Sequence, residues 1–192
     1  TCYKHDRILN QWIFVSNMSV ARAWFASVSL NGSLFVTGGK KDPTVGGFLK
    51  TTELISPDGH VSFGPNLPTP LAHHCMVKLP SEKVMIIGGH LNHDVDHITP
   101  RRVYIYDPKT KLYNTSFPSM LHERRTVACA LFKSSMHGNR SVVLAIGGED
   151  EATMTTAEAI KKKVQHLTRE LIIVEASGKN LEILGTVNFY LE

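Results

Sequence analysis

Val84-Met85-Ile86-Ile87-Gly88-Gly89 decides the reading of this chain. An uninterrupted apolar run of strand length ends in a glycine pair, and the same signal occurs twice more. Leu34-Phe35-Val36-Thr37 runs into Gly38-Gly39, and Val142-Val143-Leu144-Ala145-Ile146 runs into Gly147-Gly148. The pairs lie 50 and 59 residues apart, a period that belongs to repeat architectures.

Outward from these anchors, more of each unit lines up. Another apolar stretch precedes each pair: Ala23–Leu30, Ala72–Leu79 and Thr126–Phe132. Asn31-Gly32, Pro80-Ser81 and His137-Gly138-Asn139 separate the two runs with turn chemistry. After each pair comes a polar loop and a third extended run closed by a turn signal. These runs are Thr51–Ile55 before Ser56-Pro57-Asp58-Gly59, Val103–Tyr106 before Asp107-Pro108-Lys109-Thr110, and Leu171–Val174 before Glu175-Ala176-Ser177-Gly178. A fourth strand centres on Phe63, on Tyr113 and, more faintly, on Ile183, and Trp12 holds that place ahead of the first full unit. Each unit is thus four short antiparallel strands, which cannot bury both faces alone but can when stacked radially. Glycines at 38, 39, 88, 89, 147 and 148 give the backbone the freedom and close approach needed where a strand leaves a crowded inner region.

These residues resemble the kelch repeat, with its diglycine after the second strand, Tyr-Asp-Pro-x-Thr turn after the third, and Trp in the fourth. Gly88-Gly89, Tyr106-Asp107-Pro108-Lys109-Thr110 and Trp12 carry the likeness, which spans roughly residues 3–191. Phe63 and Tyr113 stand in place of Trp, the third copy lacks the Tyr-Asp-Pro turn, and Leu71 or Ala72 replaces the arginine seen at Arg22 and Arg124. The resemblance implies an all-β fold: a β-propeller of kelch type, with three four-stranded antiparallel blades in an incomplete ring and one short helical insertion. Residues 1–21 are expected to be the outer strand of a preceding blade, 22–66 blade one, 67–122 blade two, 123–185 blade three and 186–192 the start of a next blade. Kelch rings close with more than three blades, so the chain reads as a fragment of a larger propeller.

One stretch departs from the repeat. Between Gly148 and Leu171 lie 22 residues, against 11 and 13 in the other copies. Thr155 and Glu158 have capping-box spacing, and Ala157, Ile160, Val164 and Leu167 form a helix-period stripe. A helix over 156–168 is expected within an insertion at 149–169. The rival is a strand over Thr155–Ile160, which mimics Thr51–Ile55.

Composition excludes several functions. No apolar run approaches the ~18 residues of a membrane-spanning helix. Net charge is +4, but the basic residues are scattered in pairs rather than gathered with stacking aromatics, so no nucleic-acid surface is expected. No GxSxG, HExxH or phosphate-cradling loop occurs, and no catalytic residue is assigned. Some kelch-like propellers are galactose oxidases or sugar-acid isomerases, so a propeller enzyme is the alternative. The Tyr, Cys and His residues present do not match the copper-radical arrangement.

Several residues invite chemistry. His90, His93, Asp94, Asp96 and His97 fall within eight residues and could hold a divalent ion, although the spacing matches no known metal signature and the simpler reading is a solvated loop. Alternation sends one of His73 and His74 inward and the other toward the neighbouring sheet; a satisfied core histidine is expected, with lining of the central channel the alternative. Cys75 and Cys129 occupy equivalent first-strand positions, expected to be too far apart for a disulfide and therefore free thiols. Four N-glycosylation sequons begin at Asn17, Asn31, Asn114 and Asn139, all in turns. Turn chemistry also favours Asn and Ser, and cytoplasmic and secretory placement both stay open.

The expected function is non-catalytic protein binding by loops 40–50, 90–102 and 149–169, with no cofactor and no membrane insertion. Arg22, His90, His93, His97, Arg101, Arg124, Lys161, Lys162 and Lys163 are the residues expected to face a protein partner. Arginine would recognise carboxylates bidentately, and the lysine triplet would favour an acidic partner. A secreted adhesion module is a further alternative.

Overall fold

The computed structural model describes the backbone of residues 1–41, 47–91, 101–121, 123–134, 140–148, 169–177 and 180–189, and the side chains of 1–41, 47–91, 101–121, 123–133 and 141–148. Among the described residues the chain is all-β and contains no helix. The helix expected over 156–168 lies outside them, as does all of the 149–169 insertion but Arg169.

Three four-stranded antiparallel sheets follow one another in sequence, each a simple up-and-down meander. The first comprises β3 (Ala26–Leu30), β4 (Ser33–Thr37), β5 (Thr52–Ile55) and β6 (Val61–Gly64). The second comprises β7 (Cys75–Lys78), β8 (Val84–Ile87), β9 (Val103–Asp107) and β10 (Leu112–Asn114). The third comprises β11 (Ala128–Ser134), β12 (Arg140–Ile146), β13 (Arg169–Ser177) and β14 (Asn180–Phe189). Ahead of them, β1 (Cys2–Asp6) pairs with β2 (Gln11–Ser16). Residues 1–21 therefore supply two strands where the sequence suggested one. The turn between them is fixed by Asp6, whose carboxylate accepts the N–H groups of Ile8 and Leu9 at 2.8 and 3.0 Å.

The last boundary also moves. Thr186–Phe189, expected to open a next unit, pair with Arg169–Ile172 as the far end of β14.

Strict alternation explains how the sheets stack, because successive side chains of a strand point to opposite faces. In the second sheet Val84, Ile86, Tyr104 and Tyr106 face the first sheet and pack with Ala26, Leu30 and Phe35. Met85, Ile87, Val103 and Ile105 face the other way and pack with Val127, Val143 and Ala145 of the third. The middle sheet is consequently apolar on both faces, which is why its strands read as unbroken hydrophobic runs. Phe35 stacks on Tyr106 at 5.0 Å between ring centroids, and Tyr106 leans on Tyr113 at 4.9 Å. Tyr113 thus fills the core from the fourth strand, while Phe63 and Trp12 are mostly exposed.

Candidate functional site

The joint between consecutive sheets is made of backbone, and it positions everything at the end of the molecule where the strand-two to strand-three loops lie. Two residues before each first strand stands a residue in left-handed conformation: Trp24 at φ 55°, His73 at 57° and Thr126 at 57°. The N–H of His73 donates to the carbonyl of Trp24, and the N–H of Thr126 to that of His73, both at 2.9 Å. A second rung repeats beside the first. Gly39 N–H donates to Leu71 O, and Gly89 N–H to Arg124 O, each at 2.8 Å. The glycine pairs all have positive φ, and a Cβ on Gly88 would stand 2.5 Å from Arg124 O. Only glycine fits there, because the next unit's carbonyl occupies the side-chain position. Gly147 has the same conformation, with nothing among the described residues within 4 Å of its Cβ position.

Arg22 is buried, contrary to its expected place against a partner. Its guanidinium donates to Gly38 O at 2.6 Å and Thr51 O at 3.1 Å, and forms an ion pair with Glu53 at 2.5 Å. Glu53 in turn accepts the N–H groups of Ser19 and Val20 at 2.7 and 3.1 Å, so the pair pins the preceding loop to the sheet. Arg124 is likewise buried and donates to Gly147 O at 2.6 Å, the equivalent glycine carbonyl. Both arginines therefore serve the fold, supplying donors to the carbonyl of the first glycine of a pair. His90 is also buried, its ring edge-on to Phe48 at 5.2 Å, instead of facing outward.

Arg101 is exposed, as expected, beside exposed Arg102. His93, Asp94, Asp96, His97, Lys161, Lys162, Lys163 and Asn139 lie outside the described residues. Among the described residues no three His, Cys, Asp or Glu side chains come together to hold a metal.

His74 is the core histidine of its pair. Its Nε2 lies 2.7 Å from Thr37 Oγ1, which also donates to Met76 Sδ at 3.2 Å. Both contacts are satisfied when Nε2 carries the proton and Thr37 accepts it. Burial above all, and then the neighbouring His73, push the pKa of His74 down to about 3, so it is neutral at physiological pH. Cys75 and Cys129 are joined in a disulfide with Cα atoms 5.9 Å apart, against the expectation of free thiols. The first strands β7 and β11 run side by side, closer than the expected separation allowed.

Sequence reasoning missed the feature that stands out at the loop end. Trp24 is 44% exposed and stacks on His73 at 4.6 Å, with Lys40 Nζ 6.0 Å from its ring centroid. Exposed Lys41, Arg101 and Arg102 border the same end. The ladder places its three left-handed residues equivalently: Trp24, His73 and Thr126 each stand two residues before the first strand of their sheet. At the opposite end a groove of about 270 Å³ is lined chiefly by Tyr3, Val15, Leu34, Ile55 and Pro57.

Compared with known proteins, the chain matches no family model and no curated sequence.

Proposed function

We propose that this chain is part of a kelch-type β-propeller that binds a protein partner at its loop end. The reading is supported by three meandering sheets joined by one recurring backbone ladder. The observation that carries the binding function is the exposed Trp24, stacked on the His73 ring and flanked by Lys40. Tryptophan is among the residues enriched where binding energy concentrates at protein interfaces. Lys41, Arg101 and Arg102 fit a partner with acidic side chains around an apolar anchor.

The test is quantitative affinity capture from the native source with wild type, Trp24→Ala and Phe63→Ala. Phe63, at 63%, is more exposed than Trp24 but lies on a fourth strand. A partner retained by wild type and Phe63→Ala, and lost about tenfold or more with Trp24→Ala, fits the proposal. Identical capture by all three would remove it.

A further inference from the structure

We infer that Asn31 is an N-glycosylation site and that the chain matures in an oxidising, glycosylating compartment. Two independent observations meet in this assignment. The first is the Cys75–Cys129 disulfide, which ties the first strands of neighbouring sheets together. Such bonds persist in secreted and cell-surface proteins and are rare where thiols are kept reduced.

The second is the geometry of the Asn31-Gly32-Ser33 tripeptide. Asn31 is exposed at the tip of the β3–β4 hairpin, in left-handed conformation at φ 50°. A Cβ built on Gly32 meets no described atom within 4 Å, so the turn next to Asn31 is uncrowded, with Gly32 and Ser33 among the residues that line the groove beside Tyr3. The two other described sequons are more constrained. In Asn17-Met18-Ser19 the Ser19 N–H is held by buried Glu53 at 2.7 Å. In Asn114-Thr115-Ser116 the Asn114 side-chain oxygen is engaged by the Ser116 N–H at 2.9 Å. The Asn31 side chain has no hydrogen bond among the described residues, leaving its amide open to solvent.

The donor is a polyprenyl-pyrophosphate-linked oligosaccharide. Nδ2 of Asn31 bonds to the anomeric carbon of the first sugar as the carbon–oxygen bond to pyrophosphate breaks. The lipid pyrophosphate leaves, and the amide proton passes to a base on the transferase. Because the hairpin lies at the end of the first sheet opposite the 38–51 loop, a glycan there leaves the loop end accessible.

The experiment is peptide mapping of the protein from its native source, alkylated without reduction. Amidase deglycosylation in heavy-oxygen water marks each formerly glycosylated Asn as labelled Asp. Expected are label at Asn31 and a cross-linked Cys75–Cys129 peptide. A Ser33→Ala variant expressed in the same cells, which keeps Asn31 and its turn, loses one glycan. An unlabelled Asn31 overturns the assignment, whether or not Asn17 or Asn114 is labelled. Alkylated, unlinked Cys75 and Cys129 overturn the compartment.

Discussion

The carbonyl oxygen of Leu71 sits where a side chain on Gly38 would begin. Thirty-three residues separate the two in sequence, yet each fixes the other: Gly38 must lack a Cβ because Leu71 docks there, and the adjacent Gly39 N–H holds that oxygen at 2.8 Å. Gly88 and Arg124 repeat the relationship one sheet further on.

Substituting the two ends of this series separates backbone conformation from docking. Gly147→Ala suffers only the left-handed backbone and costs about 1–2 kcal/mol. Gly38→Ala adds the clash with Leu71 O, a further cost of about 1–3 kcal/mol. Urea unfolding of both variants is the measurement, and equal losses would show that the docked carbonyl moves aside freely.

Arg22→Ala leaves Glu53 buried without its cation and is expected to destabilise by about 3–5 kcal/mol. Arg22→Met with Glu53→Leu should recover part of that loss, since no isolated charge then remains buried. A double-mutant cycle in urea reads the coupling; additive losses would mean that the two side chains act independently.

Reduction of Cys75–Cys129 reopens a sequence separation of 54 residues in the unfolded chain. Cys129→Ala is expected to cost about 2–4 kcal/mol, and reductant should destabilise wild type but not the variant. A melting temperature unmoved by reductant would contradict a stabilising bond.

His74 makes stability pH-dependent. In the unfolded chain it takes up a proton below about 6.5, whereas in the fold it resists protonation until about 3. Its effect is absent above pH 6.5. Between 6.5 and 3 the unfolded state binds the extra proton, so stability falls on acidification by up to about 1.4 kcal/mol per pH unit. His74→Gln, which can still donate to Thr37, should flatten the stability profile between pH 6 and 4; an unchanged slope would assign the loss to other groups.

The strand order was legible because glycine pairs closing unbroken apolar runs recur three times in the sequence. Left-handed Trp24, His73 and Thr126 left no such mark, since a non-glycine residue carries no sign of positive φ. Arg22 read as a surface cation because its partner Glu53, 31 residues away, sits in a stretch that looks polar. The disulfide was missed because its formation depends on how closely two first strands approach, a tertiary distance that spacing does not encode. Of the candidate site, the exposed Arg101 was named from the sequence as a partner-facing residue, while the Trp24–His73 stack emerged only when the ladder brought the two rings together.

That ladder joins one unit to the next through peptide groups alone, at positions whose side chains are an indole, an imidazole and a hydroxyl. Assembly grammar and surface vocabulary are thereby uncoupled. A side chain at residue 24, 73 or 126 can be exchanged for one of different chemistry without rewriting the hydrogen bonds that hold the units in step. New specificity can be composed at this end of the molecule from an unchanged frame.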